Sequence, residues 1–194
     1  MAAARKLADA LGGELLIPDS DDFTPQTAIL RAAIDGQAIE IDFLWHIKGV
    51  NEDSLVRQAV EIEMQVRTAR GVCELRIPLM HPLHCLQSRL ANVIELGRTS
   101  DLARRQLEAS PIVLREYLVE VLEMGGHRHV TSTLRALCEF LLTDTNGRKA
   151  HQVMANDPAK ILERFCLDER LDPRWRELSL GPMRRALAKR SNAE

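Results

Sequence analysis

Glu40 and Asp42 are the side chains whose type and spacing first suggest chemistry. They sit in Asp35-Gly36-Gln37-Ala38-Ile39-Glu40-Ile41-Asp42-Phe43-Leu44-Trp45, where Ile39, Ile41 and Phe43 alternate with the two acids. Period-two alternation is the pattern of a half-buried strand, so the acids share one face and the apolar trio the other. Carboxylates two residues apart on a strand face lie about 7 Å from each other, a spacing that suits a divalent cation. From this stretch alone, a solvated strand face that happens to be acidic is the preferred reading. Asp35-Gly36 is the dipeptide best suited to a two-residue hairpin turn, because both central residues of a type I′ turn need positive φ.

Other potential ligands are clustered less tightly. His81-Pro82-Leu83-His84-Cys85 places one imidazole at a helix start and a second about one turn on. Zinc needs at least three protein ligands, and no second Cys/His pair is spaced to complete such a set, so a structural role is expected. A hydrolase built on His81, His84 and Cys85 is the weakest of the enzymatic readings. His127 and His129 follow a double glycine and are expected in an exposed loop. Arg98, Arg104 and Arg105, just after Gly97, have the chemistry to meet phosphates, or to form a solvated helix face. Asp19-Ser20-Asp21-Asp22 reads as turn and cap chemistry, since it lacks the Gly and Glu of a calcium loop. The sequence contains no Gly-x-Ser-x-Gly, Walker loop, dinucleotide fingerprint or His-Glu-x-x-His.

The elements that must position these residues fall into two textures. Residues 3–11 have helical spacing and stop at Gly12-Gly13. Glu14–Ile17 reads as a strand, and Thr27–Ile34 and Gln37–Ile47 as an antiparallel pair across Asp35-Gly36. Asn51 or Asp53 caps a short helix with Leu55, Val56 and Ala59 inward. Two further alternating runs, with Ile62, Met64 and Val66 then Cys73, Leu75 and Ile77, turn at Arg70-Gly71. That is an α+β sheet with helices on one side. From Pro82 onward the stripes are helical. Helices are expected over Pro82 to Ile94, Leu102 to Leu107, Ile112 to Leu122 and from Thr131, with shorter ones separated by Asn146-Gly147, Asp157-Pro158, Asp172-Pro173 and Gly181-Pro182. The expected domains are therefore 1–81, α+β, and 82–194, helical.

Composition sets the outer bounds. The chain has 194 residues, 45% hydrophobic and 28% charged, which is the balance of a globular protein with a proper core. Residues 1–81 hold 13 acids against 8 bases, and residues 82–194 hold 15 against 18. That asymmetry is too weak for a dedicated nucleic-acid binder, and 4% aromatics argues against a base-stacking surface. No apolar run reaches the ~20 residues needed to span a bilayer, so no membrane partner is expected. The four scattered cysteines, Cys73, Cys85, Cys138 and Cys166, read as free thiols of a reducing cytoplasm.

Ile41-Asp42-Phe43-Leu44, followed by His81-Pro82-Leu83-His84-Cys85-Leu86-Gln87-Ser88-Arg89, resembles the DNA polymerase β-type nucleotidyltransferase superfamily. The likeness is closest to its nucleotidyltransferase-like bacterial members, including toxins. It covers residues 5–125 and rests on element order as much as on motif. The resemblance implies a small mixed or antiparallel sheet followed by a helical lobe, with Leu86, Arg89 and Asn92 in the first lobe helix. It also implies carboxylates that hold divalent ions, a nucleotide triphosphate, and transfer of the nucleotide to a hydroxyl on protein, RNA or a small molecule. Asp42 matches the family's third carboxylate, with Glu40 its neighbour. The Gly-Ser and first carboxylate pair of the family pattern have no counterpart, and Met1 enters on what reads as the following helix. Weak binding of Mg²⁺ and little transfer by this chain alone are the expectation. The alternative is a non-catalytic interaction protein that uses the same fold to bind a protein or nucleic-acid partner.

Overall fold

A computed structural model describes residues 2–19, 26–68 and 71–191. The chain divides into two compact units, Met1–Ile47 and Lys48–Glu194. The packing thus separates the chain at Ile47/Lys48, while the change to helical texture falls at Pro82, within the second unit. Both units use antiparallel strands, and the architecture is α+β with a helical C-terminal region.

In the first unit, α1 (Ala2–Leu11) precedes β1 (Glu14–Leu16), β2 (Gln26–Ile34) and β3 (Gln37–Leu44), with β2 in the middle of the sheet. Asp35 (φ 49°) and Gly36 (φ 77°) both lie in the left-handed region, the signature of the type I′ turn expected from Asp-Gly. The register pairs Ala28 with Phe43, Leu30 with Ile41 and Ala32 with Ile39 on one face. α1 packs on β1 and β2 through its small buried residues Ala4 and Ala8, above buried Ala28 and Leu30. Gly13 is required at the start of β1, because a Cβ there would lie 2.7 Å from the Arg31 carbonyl oxygen on β2. β3 ends at Leu44, three residues short of the strand expected to reach Ile47. The acid-rich loop after Asp19 lies outside the described residues.

The second unit opens with α2 (Glu52–Arg57), capped by Asn51, whose side chain accepts from the Ser54 amide at 3.1 Å. Val56, expected inward, is 77% exposed, since a six-residue helix turns too little to bury more than one narrow stripe. β4 (Val60–Thr68) and β5 (Gly71–Leu79) form a two-stranded hairpin, separate from the first sheet. The strands lie where the alternation puts them, but they make two sheets instead of the single expected one.

The helical core is built from α3 (Pro82–Ile94), α4 (Asp101–Glu123), α5 (His127–Thr143), α6 (Thr145–Val153) and α7 (Ala159–Cys166). A helical run follows, from α8 (Pro173–Trp175) through a π-helical turn, Arg176–Leu180, into α9 (Gly181–Ser191). Fully buried Leu86 and Leu90 of α3 share one cluster with Leu114 and Leu118 of α4, Leu134, Leu137 and Leu141 of α5, and Leu162 and Phe165 of α7. No strand follows Leu86 among the described residues, as expected.

Four helix boundaries differ from the sequence reading; the last in the chain is Gly181-Pro182, expected to separate helices but lying inside the unbroken helical run 173–191, where Gly181 keeps a right-handed helical conformation. Pro111 does not start a helix; it lies inside the 23-residue α4. Its missing N–H orphans the Leu107 carbonyl, and the Ser110 hydroxyl donates to that oxygen at 2.6 Å, so the helix runs through. α5 begins at His127, four residues before Thr131, because Gly125 and Gly126 close α4 by donating to Leu122 and Val121 carbonyls. Asn146-Gly147 is the first turn of α6 and not a separator, with Asp144 accepting from both amides at 2.8 and 3.0 Å. No described helix is long and apolar enough to cross a membrane.

Candidate functional site

Glu40 and Asp42 stand where the alternation puts them, both exposed on one face of β3, with Ile39, Ile41 and Phe43 half-buried on the other. Each is engaged by the neighbouring strand. Arg31 lies directly opposite Glu40 in the register and forms an ion pair with it, Nε to Oε2 2.8 Å. A register shift between Gln26 and Ala28 leaves Thr27 unpaired in the ladder, and its hydroxyl donates to the Phe43 carbonyl at 3.0 Å. Gln26 then reaches Asp42, its Nε2 donating to Oδ1 at 2.8 Å. Bulges commonly re-aim a side chain in this way.

Mg²⁺ asks for near-octahedral oxygen ligation, usually from carboxylates together with substrate phosphates. Among the described residues no three His, Cys, Asp or Glu side chains converge as a metal-binding group. Two exposed carboxylates, one of them in an ion pair, do not by themselves fit the two-ion centre that the resemblance implies. No step through a metal is derived from them.

His81 and His84 do come together, with ring centroids 5.8 Å apart, and they are joined by two residues that spacing did not flag. His81 Nε2 lies 3.3 Å from His129 Nε2, and the Tyr117 hydroxyl lies 2.9 Å from the same His129 nitrogen. His84 Nε2 meets the Ser54 hydroxyl at 3.1 Å. The hydrogen bonds assign the tautomers. His81 caps α3, its Nδ1 accepting from the Leu83 amide at 3.1 Å, so the imidazole proton sits on Nε2. That Nε2–H points at His129 Nε2, and the Tyr117 hydroxyl competes for the single lone pair of the same ring nitrogen. A metal on His81 Nε2 would force the proton onto Nδ1, against the Leu83 N–H. The Leu83 amide thus holds His81 in the tautomer that a metal on its Nε2 would not allow.

Burial acts in the same sense. His81 is 1% exposed, and its pKa is lowered to about 4, first by burial and then by the neighbouring His129 and His84. Burial also lowers the pKa of His84, whose Nδ1 is a buried atom with no protein partner. The Cys85 thiol is pushed up, chiefly by burial, which leaves it a poor nucleophile. Tyr117 is likewise raised, by burial and then by Glu120. His129 lies in the first turn of α5 and not in the loop expected for it. The missed signal was the Gly125-Gly126 break: two antiparallel helices joined there bring positions near 117 and 129 side by side.

A third place combines charge with concavity. Between the C-terminal half of α3 and the start of α4 is a cavity of about 320 Å³, with Arg89, Asn92, Arg98 and Gln106 on its wall. Of the three arginines noted after Gly97, only Arg98 borders it. Arg104 instead folds back, its Nε donating to the Thr99 carbonyl at 3.2 Å. No disulfide joins any of the four cysteines. Comparisons of the chain with protein-family models, with curated proteins and with solved structures return no match.

Proposed function

We propose that this chain is a non-catalytic, nucleotidyltransferase-like interaction protein that binds a protein partner through the apolar face of the β4–β5 hairpin. One observation carries the reading. Ile62 pairs with Ile77, Met64 with Leu75 and Val66 with Cys73, so six side chains of apolar character line one face, and none of them is buried. Met64 is 43% exposed and Leu75 44%. A two-stranded hairpin is marginal in water without something packed on it, and a continuous exposed apolar row marks an interaction surface.

The chemistry favours protein over nucleic acid. The two strands carry Glu61, Glu63 and Glu74 against Arg67 and Arg76, with Arg76 meeting Glu63 at 3.0 Å, so the hairpin offers no net positive charge to phosphates. The engagement of Glu40 by Arg31 and of Asp42 by Gln26 supports the absence of independent catalysis.

The second reading is Mg²⁺-dependent transfer of a nucleotide to a hydroxyl of protein, RNA or a small molecule, with Asp42 and Glu40 as carboxylates. It is favoured by their shared exposed face. Two measurements separate the readings. A photo-crosslinking residue at position 75, in cells that naturally express the protein, is expected to trap a protein of discrete mass, while one at position 74, on the opposite face, does not. Equal trapping or none at both positions overturns the docking surface. Incubation with labelled nucleotide triphosphates and Mg²⁺ or Mn²⁺ is expected to label nothing. Robust labelling lost in Asp42→Ala establishes the enzyme instead.

A further inference from the structure

The α3–α4 cavity lies outside both the hairpin face and the β3 carboxylates, and its wall is unusual in charge. Arg89 is half-buried on α3, and Arg98 projects from the loop that ends that helix. The loop is held in place: Gly97 takes φ 62°, and the Arg98 amide donates back to the Asn92 carbonyl at 3.0 Å. On the far side, Ser100 caps α4 by accepting from the Ala103 amide at 3.3 Å, and Arg104 braces Thr99. Two arginines thus border one concavity, one on α3 and one on the hydrogen-bonded loop that follows it.

No carboxylate lines the cavity. Asp101, the one acid between Leu96 and Leu107, is not on its wall. Among the described residues neither the Arg89 nor the Arg98 side chain has an ion pair or a hydrogen bond. Like charges that share a cavity without a counter-ion repel, and an anion placed between them converts that repulsion into charge-assisted hydrogen bonds. The remaining wall mixes amides with apolar surface: Asn92 and Gln106 offer both donors and acceptors, while Val93 and Leu102 are apolar. Such a wall suits an anion that carries an organic body with hydroxyls.

We propose that this cavity binds a small phosphate monoester, its phosphate between Arg89 and Arg98 and its organic part against Asn92, Gln106 and Val93. The volume of about 320 Å³ is at the small end of ligand sites, which fits a sugar phosphate better than a polymer. No aromatic side chain lines the cavity to stack a base, which separates it from single-strand nucleic-acid grooves.

The test is calorimetric titration of the full chain with ribose 5-phosphate, with inorganic phosphate, with ribose and with a short single-stranded oligonucleotide. Saturable binding of ribose 5-phosphate, weaker binding of phosphate and none of ribose is expected. Arg89→Gln and Arg98→Gln should each weaken ribose 5-phosphate by about tenfold, the scale of one charge-assisted hydrogen-bonding partner. Arg105→Gln, off the wall, should leave it unchanged. Arg98 is exposed, so its variant tests the site even if Arg89→Gln folds poorly. Absence of binding, binding unaffected by both variants, or tighter binding of the oligonucleotide overturns the proposal.

Discussion

Acid should destabilise this protein through His81, and the size of the effect follows from its surroundings. The folded chain holds His81 neutral, with a pKa lowered to about 4 from the ordinary 6.5, because the ring is buried and faces His129 and His84. Protonation would place hydrogens on both ring nitrogens. Nδ1 would then oppose the Leu83 amide that it now accepts from. In the unfolded chain the ring titrates normally. Below 6.5 the unfolded state therefore takes up a proton that the folded state refuses, and stability falls as pH falls, until about 4 where the folded ring also protonates. The difference of about 2.5 pKa units corresponds to about 3 kcal/mol. That is a large part of a typical folding free energy.

Urea unfolding followed by far-ultraviolet circular dichroism, repeated from about pH 7 to about pH 4, reads this directly. His84, lowered in the same direction, and the acids add their own slopes, so the informative quantity is the difference from His81→Asn. An asparagine oxygen can still accept from the Leu83 amide at the helix cap but does not titrate. The variant should be less stable than wild type near neutrality, where it lacks the hydrogen bond to His129, and the gap should close by about 3 kcal/mol across the window. Parallel profiles for the two proteins would refute the buried-neutral assignment of His81.

Other perturbations isolate single features. Ser110→Ala removes the hydroxyl that satisfies the Leu107 carbonyl beside Pro111, and should cost about 2 kcal/mol in urea unfolding; a change within error would show that the helix does not need the bond. Gly147→Ala drives a Cβ into the Phe140 carbonyl where α5 turns into α6, and should lower stability by about 2 kcal/mol or more, read as a lower melting temperature. Gly36→Ala meets open space but a φ of 77°, so its expected cost is only about 1 kcal/mol, all of it backbone strain. A larger loss at Gly36 than at Gly147 would reverse this reasoning.

The legible parts of the fold were those specified by adjacent residues. Asp35-Gly36 with its flanking alternation fixed the β2–β3 register, and so correctly placed Glu40 and Asp42 on one face. Pro82 and the stripe Leu83, Leu86 and Leu90 defined α3. What the sequence hid depends on partners far along the chain. Pro111 reads as a helix start because the Ser110 bond that rescues the ring is invisible to a periodicity argument. His129 looks like loop because Gly126 and His127 carry no cap signal, yet it meets His81, 48 residues away. Likewise, alternation identified β4 and β5 but could not say that they would pair only with each other. Arg98 stands out in the sequence only by its charge. Its relation to Arg89, which creates the cavity, appears only once α3 and α4 are packed.

Stability in the second unit is distributed unevenly, and that bears on how a binding surface there would work. The buried leucines lie from α3 onward, whereas no described residue of β4 or β5 is buried. The hairpin is held by its cross-strand ladder, by exposed ion pairs such as Arg76 with Glu63, and by the few half-buried side chains Val60, Val66 and Ile77. Exposed ion pairs contribute little, so the hairpin belongs to the low-stability end of the structure and opens locally before the helical core does. A partner covering Ile62, Met64 and Leu75 would bury apolar area at about 25 cal/mol per Å² and would add that gain to the element that most lacks it. Hydrogen exchange should therefore be fast in β4 and β5 in the free protein and slow when the partner is bound, with the amides of α3, α4 and α5 slow in both states. Protection of the free hairpin equal to that of α4 would mean that the apolar row needs no partner, and the interaction reading would lose its physical basis.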